Sequence, residues 1–501
     1  MSVVTQKVAR KGRWPEFVLL LLALGTGFLA YYLVHIGMDG EGLPGRFSTL
    51  LPAAIVLVFG AHLVIRWLAP YADPILFPAA LALNGLGLAM IYRIDLSDGT
   101  NAARSQLMLT AVSLVFMVAT VALIKNHRIL RGYMWLSLIA GVALLLLPMV
   151  PGLGRSMYGA RIWINVAGFS FQPAELAKIF FAIFFAAYLA QERDNLSLAG
   201  PKILGIRFPK SRHFLPILLA WFISMGVLAM ERDFGTALLF FGLFVAMLYV
   251  ATERFSWLVI AGVLSAVGIF LIVQVVPHIQ ARFAVWLHAL DPEVYDAEFG
   301  SYQLVQGLFG MASGGLMGTG LGQGHPALTP LANSDFIYSS VGEELGLTGL
   351  MAVLVLYLLI IASGFITAMK IKDGFGKLLA SGLVFTMAFQ VFTVVGGITL
   401  VIPLTGMTMP YMAAGGSSLI ANYLLAALLM IISNAANRPE PDTLSDTFQY
   451  EALAVLRDRE LKERTDKESA PEREPQAERP PEPRHAAANN QTTEIIEAGA
   501  R

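Results

Sequence analysis

One carboxylate is a candidate for acid–base chemistry because it lies in a loop directly before a long apolar segment. Asp335 lies in the sequence NSDFIYSSVGEELG, next to Phe336, Ile337 and Tyr338. A low-dielectric environment would raise the basicity of this carboxylate, which suits a general base. An aspartate that follows a serine in a loop is more often a turn or capping residue, so both interpretations stay open.

Three further acidic residues lie beside apolar runs. Asp233, in MERDFGTAL, directly precedes such a run, where an aspartate is most simply a helix N-cap. Glu343 and Glu344 come shortly after Asp335 and also precede an apolar run. They either open the next helix, since acidic side chains favour a helix N-terminus, or belong to the same site as Asp335.

An acid and a base occur together inside an apolar run. Glu175 and Lys178 lie in FQPAELAKIFF, after Pro173, which suits a helix N-terminus. The spacing of three residues places both side chains on one helix face, where they can pair. Ionisable groups within a membrane span are costly, so the pair needs a reason. It is either a structural ion pair between helices or the polar wall of a substrate groove.

Basic and aromatic residues in two loops could bind a phosphate group. Arg161 and Trp163 lie in YGARIWINV, and Arg282 lies in a second, longer loop. A guanidinium binds phosphate well, whereas tryptophan is also common as an interface residue of membrane proteins.

Several other chemistries are excluded by the composition. The chain has no cysteine, so it forms no disulfide, thiolate zinc site or iron–sulfur cluster. Its histidines show no metal-ligand spacing, and its net charge of zero gives no basic field for nucleic acid. The run GGLMGTGLGQG follows no strand, so it indicates turns and close backbone packing rather than a dinucleotide site.

The elements that position these residues must be membrane spans. The chain has 501 residues, of which 56% are hydrophobic and 14% charged, against about 25% charged in soluble proteins. Twelve runs are long and apolar enough to span a bilayer, which predicts an all-α polytopic bundle of about 12 transmembrane helices. The predicted spans are 17–36, 48–69, 74–93, 105–124, 133–150, 174–190, 214–230, 235–251, 257–276, 346–367, 378–399 and 416–433.

Loop charges predict the orientation of the bundle. With the N-terminus inside, the cytoplasmic segments before the tail hold 17 Lys and Arg residues and the outer segments hold seven. This bias predicts that both termini are cytoplasmic in a cell-membrane protein. Two outer loops then stand out, 151–173 and 277–342. The second is far longer than a simple connection, which is typical of a functional loop, and its aromatic residues predict that it folds onto the outer face.

The sequence divides into three parts. Residues 1–73 form a cytoplasmic segment with two transmembrane helices, 74–433 form the main transmembrane core, and 434–501 form a charged tail. Residues 438–501 contain 10 basic and 15 acidic residues, and such a composition predicts a disordered cytoplasmic tail. The stretch 448–464 within it is either a transient amphipathic helix or a docking site.

Four motifs in order resemble the SEDS family (shape, elongation, division and sporulation), which includes RodA and FtsW. They are GARIWINVAGFSFQPAELAKI, ERDFGTALL, the segment from YQLVQGLFG through NSDFIYSSVGEELGLTG, and IPLTGMTMPYMAAGGSSLIANY. The resemblance covers about residues 74–433. The first two spans resemble an extension found in a longer branch of RodA-type proteins.

The resemblance implies a peptidoglycan glycosyltransferase. Family members polymerise lipid II, a disaccharide-pentapeptide on undecaprenyl diphosphate, at the outer membrane face, together with a class B penicillin-binding protein. The family's essential aspartate falls on Asp335, its loop tryptophan on Trp163, and its Glu-x-x-Lys pair on Glu175 and Lys178. Ile162 stands where the family usually has an arginine.

This chemistry agrees with the residues found above. A lipid diphosphate is already a good leaving group, whereas the acceptor hydroxyl needs a base, for which one carboxylate suffices. Charge developing on the diphosphate needs cations; Arg161, Arg282 and a divalent cation such as Mg²⁺ or Mn²⁺ are candidates, although the sequence shows no dedicated metal ligands. The predicted catalytic residue is Asp335. The predicted substrate-binding residues are Arg161, Trp163, Glu175, Lys178, Asp233, Arg282 and Glu343.

Three alternatives remain open at the level of sequence. A transporter that flips lipid-linked precursors would use polar groups near the bilayer midplane, a role that Glu175 and Lys178 could fill. An FtsW-type polymerase would act in division rather than in elongation and cell shape. A non-catalytic scaffold would recruit wall enzymes through its tail, and replacing Asp335 would then be harmless.

Overall fold

The computed structural model describes residues 13–157, 160–166, 169–197, 202–203, 206–207, 211–297, 300–439, 453 and 455–461. The chain separates into two compact units, Met1–Pro439 and Glu440–Arg501. In the second unit, residues 455–461 are helical and exposed. The rest of the predicted disordered tail, including most of the stretch 448–464, lies outside the described residues.

The described part of the first unit is mainly helical. Its α-helices are α1 (Trp14–Gly37), α2 (Phe47–Leu68), α3 (Leu76–Asp98), α4 (Ala102–Leu123), α5 (Met134–Leu146), α6 (Pro173–Ser197), α7 (Ser211–Glu231), α8 (Phe234–Thr252), α9 (Ser256–Val275), α10 (Pro277–Leu287), α11 (Pro292–Tyr295), α12 (Tyr302–Gly314), α13 (Ile337–Lys370), α14 (Gly374–Ile398) and α15 (Gly416–Ala436). Short 3₁₀ helices lie at His127–Tyr133, Leu147–Met149 and Pro326–Leu328.

Each of the predicted spans coincides with a helix. Within the described residues, 11 helices are long and apolar enough to cross a membrane, and Leu215–Glu231 of α7 is a shorter apolar helix. The all-α, multi-pass membrane fold is therefore confirmed. In the apolar stretch of α6, 83% of the residues are buried, against 6% for α9. Thus α6 lies at the centre of the bundle and α9 at its lipid-facing periphery.

Side-chain contacts at one end of the bundle join the start of α1 to the ends of α2, α13 and α15. Arg13 Nη1 donates to the carbonyl oxygen of Ala69 at 2.6 Å. Asn437 Nδ2 donates to the carbonyl oxygen of Tyr71 at 3.2 Å, and its Oδ1 lies 3.5 Å from Lys370 Nζ. We call this the N-terminal end of the bundle.

Contacts at the opposite end join the end of α1 to the segment between α9 and α13. Gln323 Nε2 donates to the carbonyl oxygen of Gly37 at 2.6 Å. Trp286 Nε1 donates to the carbonyl oxygen of Leu400 at 2.9 Å. We call this the site end, because the starts of α6, α8 and α13 and the helix α10, which carry or adjoin most of the predicted site residues, lie on this side.

The first predicted outer loop contains a small sheet that the sequence analysis did not predict. Strands β1 (Gly154–Met157), β2 (Ala160–Val166) and β3 (Phe169–Phe171) form an antiparallel sheet in that order. Gly154 pairs with Ile164, which in turn pairs with Phe171. The alternation of β-branched residues in RIWINV is the sequence signal of β2. Strands β4 (Lys202–Ile203) and β5 (Ile206–Arg207) form a separate hairpin.

The second predicted outer loop is largely helical, since it holds α10, α11 and α12. Its predicted end at residue 342 is too late, because α13 begins at Ile337, before the predicted start of the span at residue 346. Gly346 interrupts this helix with φ of 66° and ψ of −167°. Backbone groups freed at the break bind the run GGLMGTGLGQG (residues 314–324), which we call the glycine-rich loop. Leu347 N donates to Gly315 O at 2.9 Å, and Thr319 N donates to Glu343 O at 3.0 Å.

A buried ion pair holds this loop in place. Arg93 Nε lies 2.7 Å from Glu344 Oε1, and Arg93 Nη2 donates to the carbonyl oxygen of Gly324 at 2.6 Å. Glu343 Oε1 accepts a hydrogen bond from His325 N at 2.5 Å. Neither glutamate lies in the first turn of α13, but both precede the second part of this helix, which begins after the break at Gly346. Both bind the glycine-rich loop, which confirms close backbone packing there.

Candidate functional site

A small, partly open cleft lies at the site end of the bundle, with a cavity volume of about 30 Å³. It is enclosed by β2, the starts of α6 and α8, and the segment that follows α14. The lining residues are Ile162, Gln172, Ala174, Glu175, Lys178, Asp233, Thr236, Leu239, Gly406, Met407 and Thr408. The cleft therefore brings together three of the predicted site residues, which come from two helix starts.

Glu175 and Lys178 form the predicted pair on α6. Lys178 Nζ lies 2.5 Å from Glu175 Oε2, and the lysine side chain is only 2% exposed. The same ammonium donates to Gln390 Oε1 on α14 at 2.9 Å. The pair both joins α6 to α14 and lines the cleft, so both sequence interpretations describe part of its geometry.

Asp233 lies at the N-terminus of α8. Its Oδ1 accepts a hydrogen bond from Thr236 N at 3.0 Å, which confirms the capping interpretation. Its other oxygen, Oδ2, lies 3.4 Å from Gln172 Nε2. Burial raises the pKa of this carboxyl, while the hydrogen bonds from Thr236 and the charge of Arg282 oppose that rise. The cap is therefore also a polar group in the wall of the cleft.

Arg282 on α10 interacts electrostatically with two carboxylates, those of Asp233 and Asp335. Burial lowers the pKa of its guanidinium, and the charges of Asp233 and Asp335 raise it. Its Nη1 donates weakly to the carbonyl oxygens of Leu404 and Thr405, at 3.3 and 3.4 Å. This arginine can supply positive charge to a group bound between the two aspartates.

Asp335 lies in the turn before α13 and is half-buried. A Cβ built on Gly406 would lie 3.9 Å from Asp335 Oδ2, so the carboxylate adjoins the cleft wall at that glycine. Within the described residues, no side chain caps α13, whose N-cap residue is Phe336. Burial raises the pKa of Asp335 to about 6, although a hydrogen bond with Ser334 and the charge of Arg282 oppose the rise.

The remaining predicted residues lie elsewhere at the site end. Arg161 Nη2 lies 3.4 Å from the carbonyl oxygen of Val150, and Trp163 pairs with Arg155 across the sheet. Among the described residues, Ile162 rather than Arg161 or Trp163 lines the cleft. Glu343 binds the glycine-rich loop, as described above.

Two components of the site were not predicted from the sequence. Gln390 is fully buried on α14, and the segment 406–408 lines the cleft. A polar residue inside the apolar run TMAFQVF was the available signal for Gln390. Within the described residues, no group of three or more histidine, aspartate and glutamate side chains is arranged to hold a metal ion.

Lys178 lies in the wall of the cleft, whereas Asp335 and Arg282 are not among the described residues that line it. Asp335 adjoins that wall at Gly406, and Arg282 interacts electrostatically with Asp335 and with Asp233 of the wall. A carboxylate of raised pKa accepts a proton, and buried cations stabilise a developing anion. These are the groups that an acyl, phosphoryl or glycosyl transfer from an activated donor would require, and geometry alone does not choose among them.

Comparison with known proteins makes that choice. The family of cell cycle proteins FtsW, RodA and SpoVE matches residues 74–438, which is more than half of the chain. The chain belongs to the FtsW/RodA/SpoVE family. The predicted resemblance to SEDS proteins is therefore confirmed.

Named relatives within the FtsW/RodA/SpoVE family favour the RodA branch. The chain is 44% identical over 434 residues to the peptidoglycan glycosyltransferase RodA of Mycobacterium tuberculosis, covering 85% of this chain and 92% of the relative. It is 29% identical over 370 residues to the probable peptidoglycan glycosyltransferase FtsW of Geobacter metallireducens, covering 72% and 94%. The predicted RodA type and the predicted enzyme class, a peptidoglycan glycosyltransferase, are confirmed by these matches.

A solved structure shows the same fold. A chain from a peptidoglycan synthase complex that coordinates polymerisation and crosslinking superposes with a TM-score of 0.58 at 23% identity. The match covers 74% of this chain and 99% of that chain. At this identity the likeness establishes the fold of the FtsW/RodA/SpoVE family and not the roles of individual residues.

Proposed function

We propose that this protein polymerises lipid II into glycan strands, with Asp335 as the general base. The observation that carries the proposal is the position of Asp335. Its carboxylate has a pKa raised by burial to about 6, adjoins an open cleft at Gly406, and interacts electrostatically with Arg282. A base with a pKa near the working pH is still mostly ionised there, yet basic enough to accept a proton from an alcohol.

The reaction follows from these positions. The carboxylate of Asp335 accepts the proton of an acceptor sugar hydroxyl as the hydroxyl oxygen attacks the anomeric carbon of the donor sugar. The bond from that carbon to the lipid diphosphate breaks, and direct displacement inverts the anomeric centre. Arg282 and Lys178 stabilise the departing diphosphate, because cations held in a poorly solvated cleft are effective there.

We further propose that the cleft faces outward. It lies at the site end, whereas the start of α1 and the ends of α13 and α15 lie together at the N-terminal end. The basic loop residues concentrate at the N-terminal end of the bundle, including Lys125, Arg128, Lys370 and Lys372. The positive-inside rule then makes that end cytoplasmic. A lipid-linked sugar would reach Asp335 from the outer leaflet.

The proposed partner is a class B penicillin-binding protein that crosslinks the new strand. The support is the RodA-type identity and the likeness to a chain from a synthase complex that couples polymerisation to crosslinking. The proposed role is in cell elongation and shape, since the identity to RodA is higher than that to the FtsW relative.

The test is to incubate the purified protein with lipid II and the proposed partner, and to separate the products by length. We expect glycan chains of many disaccharides. Movement of lipid II across vesicle membranes without polymer would instead identify a transporter. Neither polymer nor movement, with the partner active only in crosslinking, would identify a scaffold.

A further inference from the structure

Gln390 joins the charged pair of the cleft to its opposite wall. Its Oε1 accepts a hydrogen bond from Lys178 Nζ at 2.9 Å. Its Nε2 donates to the carbonyl oxygen of Thr408 at 2.9 Å and lies 3.4 Å from Glu175 Oε1. The side chain is fully buried. The amide of Gln390 therefore contacts three residues that line the cleft, Lys178, Glu175 and Thr408.

These contacts determine which way the ammonium of Lys178 points. Lysine is a flexible point charge with three donors, so its direction is set by its acceptors. Glu175 and Gln390 provide two acceptors and leave one N–H of the ammonium for a third. The lysine lines the cleft, so that third donor is available to an anion bound there.

The amide also fixes the opposite wall. Its hydrogen bond to Thr408 anchors the segment 406–408, whose Gly406 adjoins Asp335. A buried amide has a donor end and an acceptor end, and only the observed orientation satisfies both a lysine and a carbonyl. Neither a carboxylate nor an apolar side chain at position 390 could do the same.

We propose that Gln390 is a positioning residue of the transferase, which acts by directing Lys178 toward the diphosphate of the lipid-linked donor. The inference rests on the proposed function and adds to it a residue that touches no substrate. It differs from a purely structural role, which would require only that α6 and α14 stay packed together.

The test is a double-variant cycle on kcat/KM for lipid II polymerisation. Gln390→Met has a similar shape without polar atoms, and Gln390→Glu keeps an acceptor for Lys178 but loses the donor to Thr408. Thr386→Val is the matched control, since Thr386 is buried one turn earlier on α14 and, within the described part of the chain, its hydroxyl donates only to Leu383 O, at 2.7 Å. Thermal unfolding in detergent confirms that each variant is folded.

We expect Gln390→Met and Gln390→Glu each to lower kcat/KM at least tenfold, while Thr386→Val stays close to wild type. The variant Lys178→Met should lower it further. Adding Gln390→Met to Lys178→Met should cause a much smaller loss than Gln390→Met causes alone, because most of the effect of the amide passes through the lysine and the remainder reports its anchor at Thr408. Should Gln390→Met not fold, the cycle is run with the isosteric Gln390→Glu.

Two outcomes would overturn the inference. One is that folded Gln390 variants retain wild-type kcat/KM, and the other is that the losses at positions 178 and 390 multiply. In either case polymer from the wild type in the same assay leaves the proposed function standing, so the two failures are distinguishable.

Discussion

At the scale of single residues, the environment of Asp335 makes its carboxylate more basic but makes the ionised form less favourable for the stability of the folded protein. Burial raises its pKa from the ordinary 3.8 to about 6, and the nearby charge of Arg282 offsets only part of that rise. The ionised carboxylate is therefore less favourable in the folded protein than in water, although the ionised form is the one that accepts a proton.

The pH dependence of polymerisation follows from this pKa. Only the ionised form of Asp335 is a base, so kcat/KM should rise with pH through about 6 and then level off. At pH 5 the rate should be about tenfold below the plateau, because only about one carboxylate in ten is then ionised. The measurement is initial polymerisation rate from pH 5 to 8. A rate that stays constant down to pH 5 would contradict the assignment.

The same pKa predicts that Asp335→Asn stabilises the protein at high pH. The folded-state pKa of about 6 exceeds the ordinary 3.8, so wild-type stability is greatest below both values and falls as pH rises between them. The asparagine does not titrate. We expect the variant to melt a few degrees above wild type at pH 8 and level with it near pH 4, measured by thermal unfolding in detergent. A variant less stable than wild type at pH 8 would show that the carboxylate is well solvated or fully paired.

The residue types predicted part of the site. Asp335, Asp233 and the Glu175–Lys178 pair were recognised because charged groups beside apolar runs require a reason. Gln390 was missed because its partners Lys178 and Glu175 lie more than 200 residues away in the sequence. Only the packing of α14 against α6 reveals that contact.

At the scale of elements, α13 is broken at one point, and the glycine-rich loop binds the backbone groups around that break. The break occurs at Gly346, and carbonyl groups of Glu343 and Glu344 accept hydrogen bonds from Thr319 and Gly320 at 3.0 Å each. Broken helices are tolerated in membranes where other groups satisfy the freed backbone. The first part of α13, which follows Asp335, is thereby fixed to the loop.

A single methyl group should disrupt this arrangement. In Gly346→Ala, the new Cβ would lie 2.3 Å from Gly318 N, and the backbone conformation is one that only glycine adopts readily. We expect a loss of more than about 2 kcal/mol in stability, seen as a lower melting temperature in detergent, together with reduced polymerisation. Gly268→Ala on α9 is the control, because no atom lies within 4 Å of its new Cβ. Equal melting temperatures for the two variants would contradict the account.

Element boundaries were predictable where hydrophobicity alone determines them. The predicted spans all coincide with helices because an apolar run of about 20 residues has few alternatives in a bilayer. The start of α13 was missed because its first turns pack against α12 and the loop rather than against lipid. The strand β2 was missed because the segment was interpreted as a connection only.

At the scale of the whole molecule, the division of the chain at residues 73 and 433 remains a prediction. The family match begins at residue 74 and ends at 438, so α1 and α2 lie outside it. Even so, α1 contacts the glycine-rich loop through Gly37 and Gln323. The two additional helices are therefore part of the same compact unit as the core.

The orientation of the whole molecule can be tested directly because the chain has no cysteine. Leu328 at the site end is 65% exposed, and Ile129 at the N-terminal end is 53% exposed. We expect a membrane-impermeant maleimide to label Leu328→Cys on intact spheroplasts. It should label Ile129→Cys only after lysis. The reverse pattern would place the cleft on the cytoplasmic side and contradict the proposed reaction.

The central claim is that the carboxylate of Asp335 performs proton transfer in glycan polymerisation. The most direct measurement compares lipid II polymerisation by wild type, Asp335→Asn and Asp291→Asn, all verified as folded. Asp291 is the control because its exposed carboxylate lies in the same segment between α9 and α13 and, among the described residues, forms an ion pair only with His288, at 3.2 Å. We predict that Asp335→Asn loses at least about 100-fold in rate, while Asp291→Asn polymerises like wild type. Equal glycan yields from wild type and Asp335→Asn would contradict the account.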